Sequence, residues 1–186
     1  MIWFSSDYHF SHDKPFVYSK RGFSSIYAMN EAIVKRHNEL VKPEDSVYFL
    51  GDAFLGGKPN ESLNLLKRLN GEFFWITGNH DTDNKRELIL NNLYNWHEIG
   101  LVTILKINGL RFYLSHYPTI TSELIETKQL KSRTICLHGH THSQNKFYEN
   151  KNPYVYNCAL DAHDCRPVSI DQIIKDIMKK EDEINR

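Results

Sequence analysis

Five short polar blocks along this sequence carry the residue types that hold divalent cations. They are Asp7-Tyr8-His9, Gly51-Asp52, Gly78-Asn79-His80-Asp81, Ser115-His116-Tyr117 and Gly139-His140-Thr141-His142. Asp, Asn and neutral His offer oxygen and nitrogen lone pairs, a donor set that suits borderline or hard divalent ions. Each block alone has an ordinary explanation, since an Asp can cap a helix and a lone His is more often structural. Five in series, each after an apolar run, are harder to explain that way. If the runs are strands of α/β sheets, they gather about eight ligand-type groups, because ligands collect outside the carboxyl ends of such strands. Asp7-x-His9 and His140-x-His142 would each point one way along an extended chain and chelate one ion. Asp52 could bridge two cations, which in phosphate-cleaving sites sit roughly 3.5–4 Å apart. Asp7 and Asp52 neutralise only part of the charge of two such ions, leaving a positive field for a phosphate and a hydroxide. The glycines beside Asp52, Asn79 and His140 permit tight turns and close backbone approach.

The elements that must position these blocks can be read from periodicity. Residues 2–5 form a short buried strand, and the spacing of Ile26, Met29, Ile33, His37 and Leu40 predicts a helix from Ile26 to Val41, stopped by Pro43. Ser46 to Leu50 is a second strand, Asn60 to Leu69 a helix with Asn60 as N-cap, and Phe73 to Thr77 a third strand. A further helix capped by Asp83 or Asn84 runs to about Leu93. Val102–Ile107 and Leu110–Ser115 flank Asn108-Gly109, a two-residue hairpin signal. Strands at Thr134–Leu137 and Tyr154–Asn157 follow. Ser169-x-x-Gln172 is a capping box before the helical face of Ile170, Ile173, Ile174, Ile177 and Met178. The order β-α-β-α-β-α, then mainly β, predicts two packed sheets with helices outside.

Composition bounds the function. In 186 residues, 23 Lys and Arg balance 23 Asp and Glu. A bulk nucleic-acid binder would be strongly basic, so a local basic patch is the most that class could use here. No apolar run approaches the roughly 18 residues of a membrane helix. The opening Met-Ile-Trp-Phe reaches Asp7 at once, which does not read as a signal peptide. Cys136, Cys158 and Cys165 form no C-x-x-C pair and no even disulfide set, so the expected compartment is the cytoplasm.

Taken together, the blocks resemble the calcineurin-like metallophosphoesterase superfamily, whose series D-x-H, G-D, G-N-H-[DE], H and G-H-x-H appears here in order across residues 7 to 142. Small bacterial and phage members also resemble Ser6-Asp7-Tyr8-His9-Phe10-Ser11-His12, the Asn157 to Asp161 segment, and Arg166-Pro167-Val168-Ser169-Ile170. The resemblance implies one domain over residues 1–186 with a four-layer α/β/β/α sandwich of two mixed sheets. It implies that Asp7, His9 and His142 bind a first metal, that Asn79, His116 and His140 bind a second, and that Asp52 bridges. His80 would be the catalytic histidine, with Asp81 orienting or charge-tuning it, and Asn79 and His80 would also contact substrate. The implied reaction is attack of a metal-bridging hydroxide on phosphorus while His80 protonates the leaving oxygen. Mn²⁺ is the favoured ion, with Fe²⁺, Zn²⁺ and Ni²⁺ compatible.

The expected substrate is a small phosphate ester of nucleotide-type phosphodiester character. A nuclease or nucleic-acid end-processing enzyme is the alternative within enzymes, unsupported by the neutral charge. A metal-stabilised protein-binding scaffold is the alternative of another class, and retention of Asp7, His9, Asn79 and His80 speaks against it. Arg21 and Phe23 lie in the loop after the first block. The expectation is that Arg21 grips phosphate bidentately, the alternative being a loop anchored by packing. His12 and His138 are expected to make supporting hydrogen bonds, His37 and His97 to be ordinary surface residues, and Cys158 to be a small buried one. Nothing fixes His163 at the cleft.

Overall fold

The computed structural model describes residues 1–119, 134–148 and 152–184. Its first sheet has the order β4-β3-β2-β1-β9, from Trp96–Gly100 (β4), Glu72–Ile76 (β3), Ser46–Phe49 (β2), Ile2–Ser5 (β1) and Val168–Ser169 (β9). The pairs β1/β2, β2/β3 and β3/β4 are parallel, and β9 is antiparallel to β1. The second sheet runs β5-β6-β7-β8, from Val102–Ile107, Leu110–Ser115, Thr134–His138 and Val155–Asn157. There β5 and β6 form the expected antiparallel hairpin, while β6/β7 and β7/β8 are parallel. Asn108 and Gly109 both have positive φ, as a two-residue turn between twisted strands requires. The fold is thus α/β with two mixed sheets, as expected.

Strand alternation divides the interior into two cores. Trp3, Val47, Phe49, Phe73 and Trp75 face Met29, Ile33, Leu63, Leu66 and Ile89 of the helices α2 (Ile26–Asn38), α3 (Pro59–Leu66) and α4 (Asp83–Asn92). Phe4, Leu50 and Ile76 join the second core with Phe112, Leu114, Ile135, Leu137 and Tyr156, and with Ile170, Ile173 and Ile177 of α5 (Ile170–Ile184). Among the described residues, one further α-helix, α1, is a single turn at Pro15–Tyr18.

Several element ends differ from the periodicity reading. Helix α2 ends at Asn38 and is capped by Ser25, whose side chain accepts from the Ala28 N–H. Helix α3 starts at Pro59, not after an Asn60 cap, because proline supplies a preset φ and needs no hydrogen-bond partner at the first helical position. Neither Asp83 nor Asn84 caps α4, whose N-cap is Thr82 without a side-chain bond. Ser169 Oγ accepts from Gln172 N at 3.2 Å, but the Gln172 amide turns to Asp176 instead of closing the box. Parallel pairing brings the carboxyl ends of β1, β2 and β3 to one edge of the first sheet, and those of β6 and β7 leave the second sheet side by side. All five polar blocks start there.

Candidate metal centre

The backbone of these blocks is unusual. Asp7, His9, Asp52, His140 and His142 all have φ between 47° and 67°. A non-glycine residue in this left-handed region costs on the order of 1–2 kcal/mol and persists where surrounding contacts impose it, most often at functional sites. The period-two expectation for Asp7-x-His9 and His140-x-His142 therefore fails. These pairs are not extended; each residue is turned individually. Hydrogen bonds impose the turns, from Asp7 N to Gly51 O at 2.9 Å, from His9 N to Asp52 O at 3.2 Å and from Gly139 N to His116 O at 3.0 Å. Close approach does the rest. A Cβ on Gly78 would lie 2.3 Å from Asp52 Oδ1, and one on Gly139 would lie 1.9 Å from Ser6 Oγ. Only glycine allows either approach.

The turned side chains converge. Asp7 is fully buried; its Oδ2 accepts from Ser6 Oγ and from His140 N at 2.9 Å. Its Oδ1 lies 3.7 Å from His9 Nε2 and 3.8 Å from His142 Nε2. Asp52 uses Oδ1 to accept from His80 N at 2.9 Å, which leaves Oδ2 3.6 Å from His9 Nε2 and 3.5 Å from His116 Nε2. Asn79 Oδ1 sits 2.8 Å from His116 Nε2 and 3.0 Å from His140 Nδ1. Ligand atoms of Asp7, His9 and His142, and of Asp7, Asp52 and His116, fall within 4.8 Å of one another.

Buried atoms without partners test whether a cation fits. Among the described residues, Asp7 Oδ1 and both ring nitrogens of His9 are buried with no hydrogen-bond partner. Buried polar groups are nearly always satisfied, so such a cluster demands an explanation. A divalent ion satisfies a carboxylate oxygen and imidazole lone pairs together, and the donor set of Asp, Asn and His fits it. The local charges agree. Burial opposes ionisation of Asp7, yet His9, His116 and His142 hold its carboxyl well below the usual range. Burial, with help from His116, pushes His140 toward the neutral form that ligates.

The family model for calcineurin-like phosphoesterases matches residues 1–185. The chain belongs to this family. Among its relatives, the uncharacterized protein MJ1445 of Methanocaldococcus jannaschii is 31% identical over 183 residues, covering 96% of this chain and 92% of that protein. The gene 66 protein of Mycobacterium phage D29 is 29% identical over 196 residues, covering 95% and 96%. The crystal structure of AQ665, a protein of unknown function from Aquifex aeolicus, superposes with a TM-score of 0.70 at 26% identity, covering 94% of this chain and 98% of that one. Membership makes this protein a phosphoester hydrolase by family and implies divalent ions. No helix among the described residues is long and apolar enough to cross a membrane.

Within this phosphoesterase, His80 is half-buried beside His9, with ring centroids 5.6 Å apart. Burial holds its imidazole below the usual histidine range, with Asp52 pulling the other way. Its backbone is gripped at both ends, by Asp52 Oδ1 at N–H and by Lys85 Nζ at the carbonyl, 2.8 Å away. Asp81 does not orient the His80 ring. Its carboxylate accepts from the backbone N–H groups of Asp52, Ala53 and Gly78 and from Trp75 Nε1, at 2.8–3.1 Å. The resemblance implied a role in orienting or charge-tuning His80; the carboxylate faces the turn of the adjacent strand and not the ring, while its charge, after that of Asp52, still favours the protonated imidazole.

Arg21 also differs from the expected phosphate grip. Its side chain is 1% exposed and fully used, with Nε and Nη2 on Asp161 at 3.1 and 2.7 Å, Nη2 on Asp7 O at 2.7 Å and Nη1 on Tyr8 O at 3.2 Å. The anchored-loop alternative is the one the geometry carries. Asp161 continues to His142 Nδ1 at 3.1 Å. Neither Lys85 nor Asp161 lies in one of the five polar blocks. Asp161 had one signal, its place in the Asn157 to Asp161 segment, and Lys85 had none. Asn157 shapes the last block by donating to Ser143 O and Asn145 O. Among the described residues, His12 Nδ1 is buried without a partner near His9, and His138 donates toward Gly139 O at 2.8 Å. His37 is not a surface residue. It is buried, with Nε2 donating to Asn70 O at 2.8 Å and Nδ1 accepting from Tyr8 Oη at 3.0 Å. His97 is exposed and pairs with Glu72. Cys158 is buried, and His163 is anchored to Asn157 O.

Proposed function

We propose that this protein is a dinuclear, Mn²⁺-dependent hydrolase of small phosphate esters, with nucleotide-type phosphodiesters as its preferred class. The observation that carries the reading is the cluster of buried, unpartnered ligand atoms, Asp7 Oδ1 and both His9 nitrogens, ringed by His142, Asp52 and His116. Asp7, His9 and His142 would hold one ion; Asn79, His116 and His140 would hold the other; and Asp52 would serve both. The chemistry two such ions supply when bound is activation of a water and neutralisation of phosphoryl charge. Asp52 and Asp7 compensate only part of that positive charge, so the cleft favours an anionic ester. His80 delivers a proton to the departing ester oxygen, and its backbone bonds to Asp52 and Lys85 fix where the ring stands. Asn79 and His80, adjacent on one turn, contact the ester. Small substrates follow from the neutral net charge, which offers no extended basic track for a polymer.

The test is release of nitrophenol from mono- and bis-nitrophenyl phosphate, before and after chelation, with Mn²⁺, Fe²⁺, Zn²⁺ or Ni²⁺ restored. Cleavage that needs the ion, with the diester faster, is the expected result. Absence of cleavage with every ion overturns the reading.

A further inference from the structure

We infer that Asp161, locked by Arg21, is the positioning residue for the first metal site and sets the affinity of that site alone. The inference rests on the dinuclear reading above. Three observations carry it.

The first is the unequal security of the ligands. Asp7 and His9 are buried, and His116 is held inside by a 2.7 Å contact from Nδ1 to Leu50 O. His142 is different: its side chain is 40% exposed, on a loop residue with φ 47°. Among the described residues, its Nδ1 has Asp161 Oδ2 as hydrogen-bond partner. A ring that donates Nδ1–H to a carboxylate must present the Nε2 lone pair on its other side, toward Asp7 Oδ1. Asp161 therefore fixes both the tautomer and the direction of the one exposed ligand in that cluster.

The second is that Asp161 is itself immobile. It is nine-tenths buried and gripped at two points by the Arg21 fork. Its 3₁₀ turn, Leu160–Ala162, follows the Ser6–Ala159 bridge, and Leu160 N donates to Ser6 O at 3.2 Å. The third is where the other side of the Arg21 fork goes. It holds the carbonyls of Asp7 and Tyr8, so one guanidinium sets Asp161 relative to the backbone of Asp7. Two ligands from different sheets, Asp7 and His142, are thereby referred to a single cation. Among the described residues, no carboxylate hydrogen-bonds a ring of the second cluster in this way. His116 is backed by a neutral carbonyl, and His140 contacts Asn79.

The test is Mn²⁺ binding to Asp161→Asn and Asp161→Ala, by calorimetry and electron paramagnetic resonance, with ¹⁵N-histidine spectra of the ion-free proteins. The Asn variant keeps the side-chain shape if the Ala variant fails to fold, and near-ultraviolet circular dichroism checks both. The expected result is that one of two Mn²⁺ ions binds about 10–100-fold more weakly while the other keeps its parental affinity. His142 should also change from the Nδ1–H tautomer to a mixture, which a general loosening of the fold would not produce selectively. Parental affinity at both sites overturns the inference, as does equal weakening of both. A parent protein that takes up no Mn²⁺ overturns the dinuclear reading itself.

Discussion

Two buried aspartates flank the candidate ligand cluster, and each ties together turns that carry candidate ligands, by opposite means. Asp81 binds the Asp52 turn to the Gly78 turn through backbone and indole N–H groups, all neutral and all within the first sheet. Asp161 binds the Asp7 backbone to His142 through Arg21, by charged groups that cross between the sheets. The charges respond accordingly. Burial pushes the Asp81 carboxyl above the usual range against the pull of its N–H donors. Burial also opposes ionisation of Asp161, but His142 and Arg21 hold it well below that range. A carboxylate fed by backbone donors fixes the chain, and its loss is felt by the fold. A carboxylate fed by a cation and an imidazole fixes a side chain, and its loss is felt by whatever the imidazole holds.

The largest expected effect isolates chemistry from both ties. The His80 side chain takes part in neither, since only its backbone N–H and carbonyl are bonded to Asp52 and Lys85. His80→Ala should lower the rate of ester hydrolysis by about 10²–10⁴-fold, with Mn²⁺ stoichiometry and urea midpoint unchanged. A rate near that of the parent would remove His80 from the proton step. Next comes the Asp81 tie. Asp81→Ala strands four N–H groups at roughly 1–3 kcal/mol each, and relief of the buried carboxylate's own desolvation offsets part of that, so the fold should lose about 3 kcal/mol. Urea unfolding of ion-free protein measures it. A loss below about 1 kcal/mol would mean that water reaches those donors, and the contrast with Asp161 would collapse.

These two carboxylates also mark where sequence reading stops. The convergence of the five polar blocks was legible because parallel strands must deliver their carboxyl ends to one edge, and apolar runs ending in Asp, Asn and His announce such ends. The hairpin at Asn108-Gly109 was legible for a local reason, its need for positive φ. Strand β4 was missed because His97, Glu98 and Gly100 break its apolar pattern. The resemblance placed Asp81 on His80, whereas its hydrogen-bond partners include the neighbouring strand's turn, 28 and 29 residues away for Ala53 and Asp52. Arg21 and Asp161 are 140 residues apart, and no periodicity couples them. His37 shows the same limit. At helical spacing it could face either way, and what holds it inside is bonding to the Tyr8 hydroxyl and the Asn70 carbonyl and stacking on Phe73, all outside its own helix.

A smaller effect probes the contact between the sheets without replacing either carboxylate. Gly139→Ala would place a methyl 1.9 Å from Ser6 Oγ and 2.4 Å from Asp7 Oδ2. Ser6 and Asp7 must yield, at an expected cost of about 2 kcal/mol for overpacking. Because the displaced group is Asp7, calorimetry with Mn²⁺ should register the change as well as unfolding. If stability falls while Mn²⁺ binding is untouched, the approach of β7 to Asp7 is packing alone.

The smallest effect tests a buried histidine beneath the site. His37 is pushed down to about 4 by burial, partly offset by its bond to Asn70 O. An unfolded histidine titrates near 6.5, so between these values the unfolded chain binds the extra proton and the folded one does not. Folded stability therefore falls as pH drops through the unfolded value, and the loss is complete below the folded one. From pH 7 to 5.5 the contribution of His37 should be about 1 kcal/mol. His163, also lowered to about 4 by burial, adds its own share. Urea midpoints of ion-free protein across this range should slope downward toward acid, and His37→Gln should flatten the slope. An equal slope in the variant would assign the acid sensitivity to His163 and to the ligand histidines, and would separate the core under α2 from the chemistry above it.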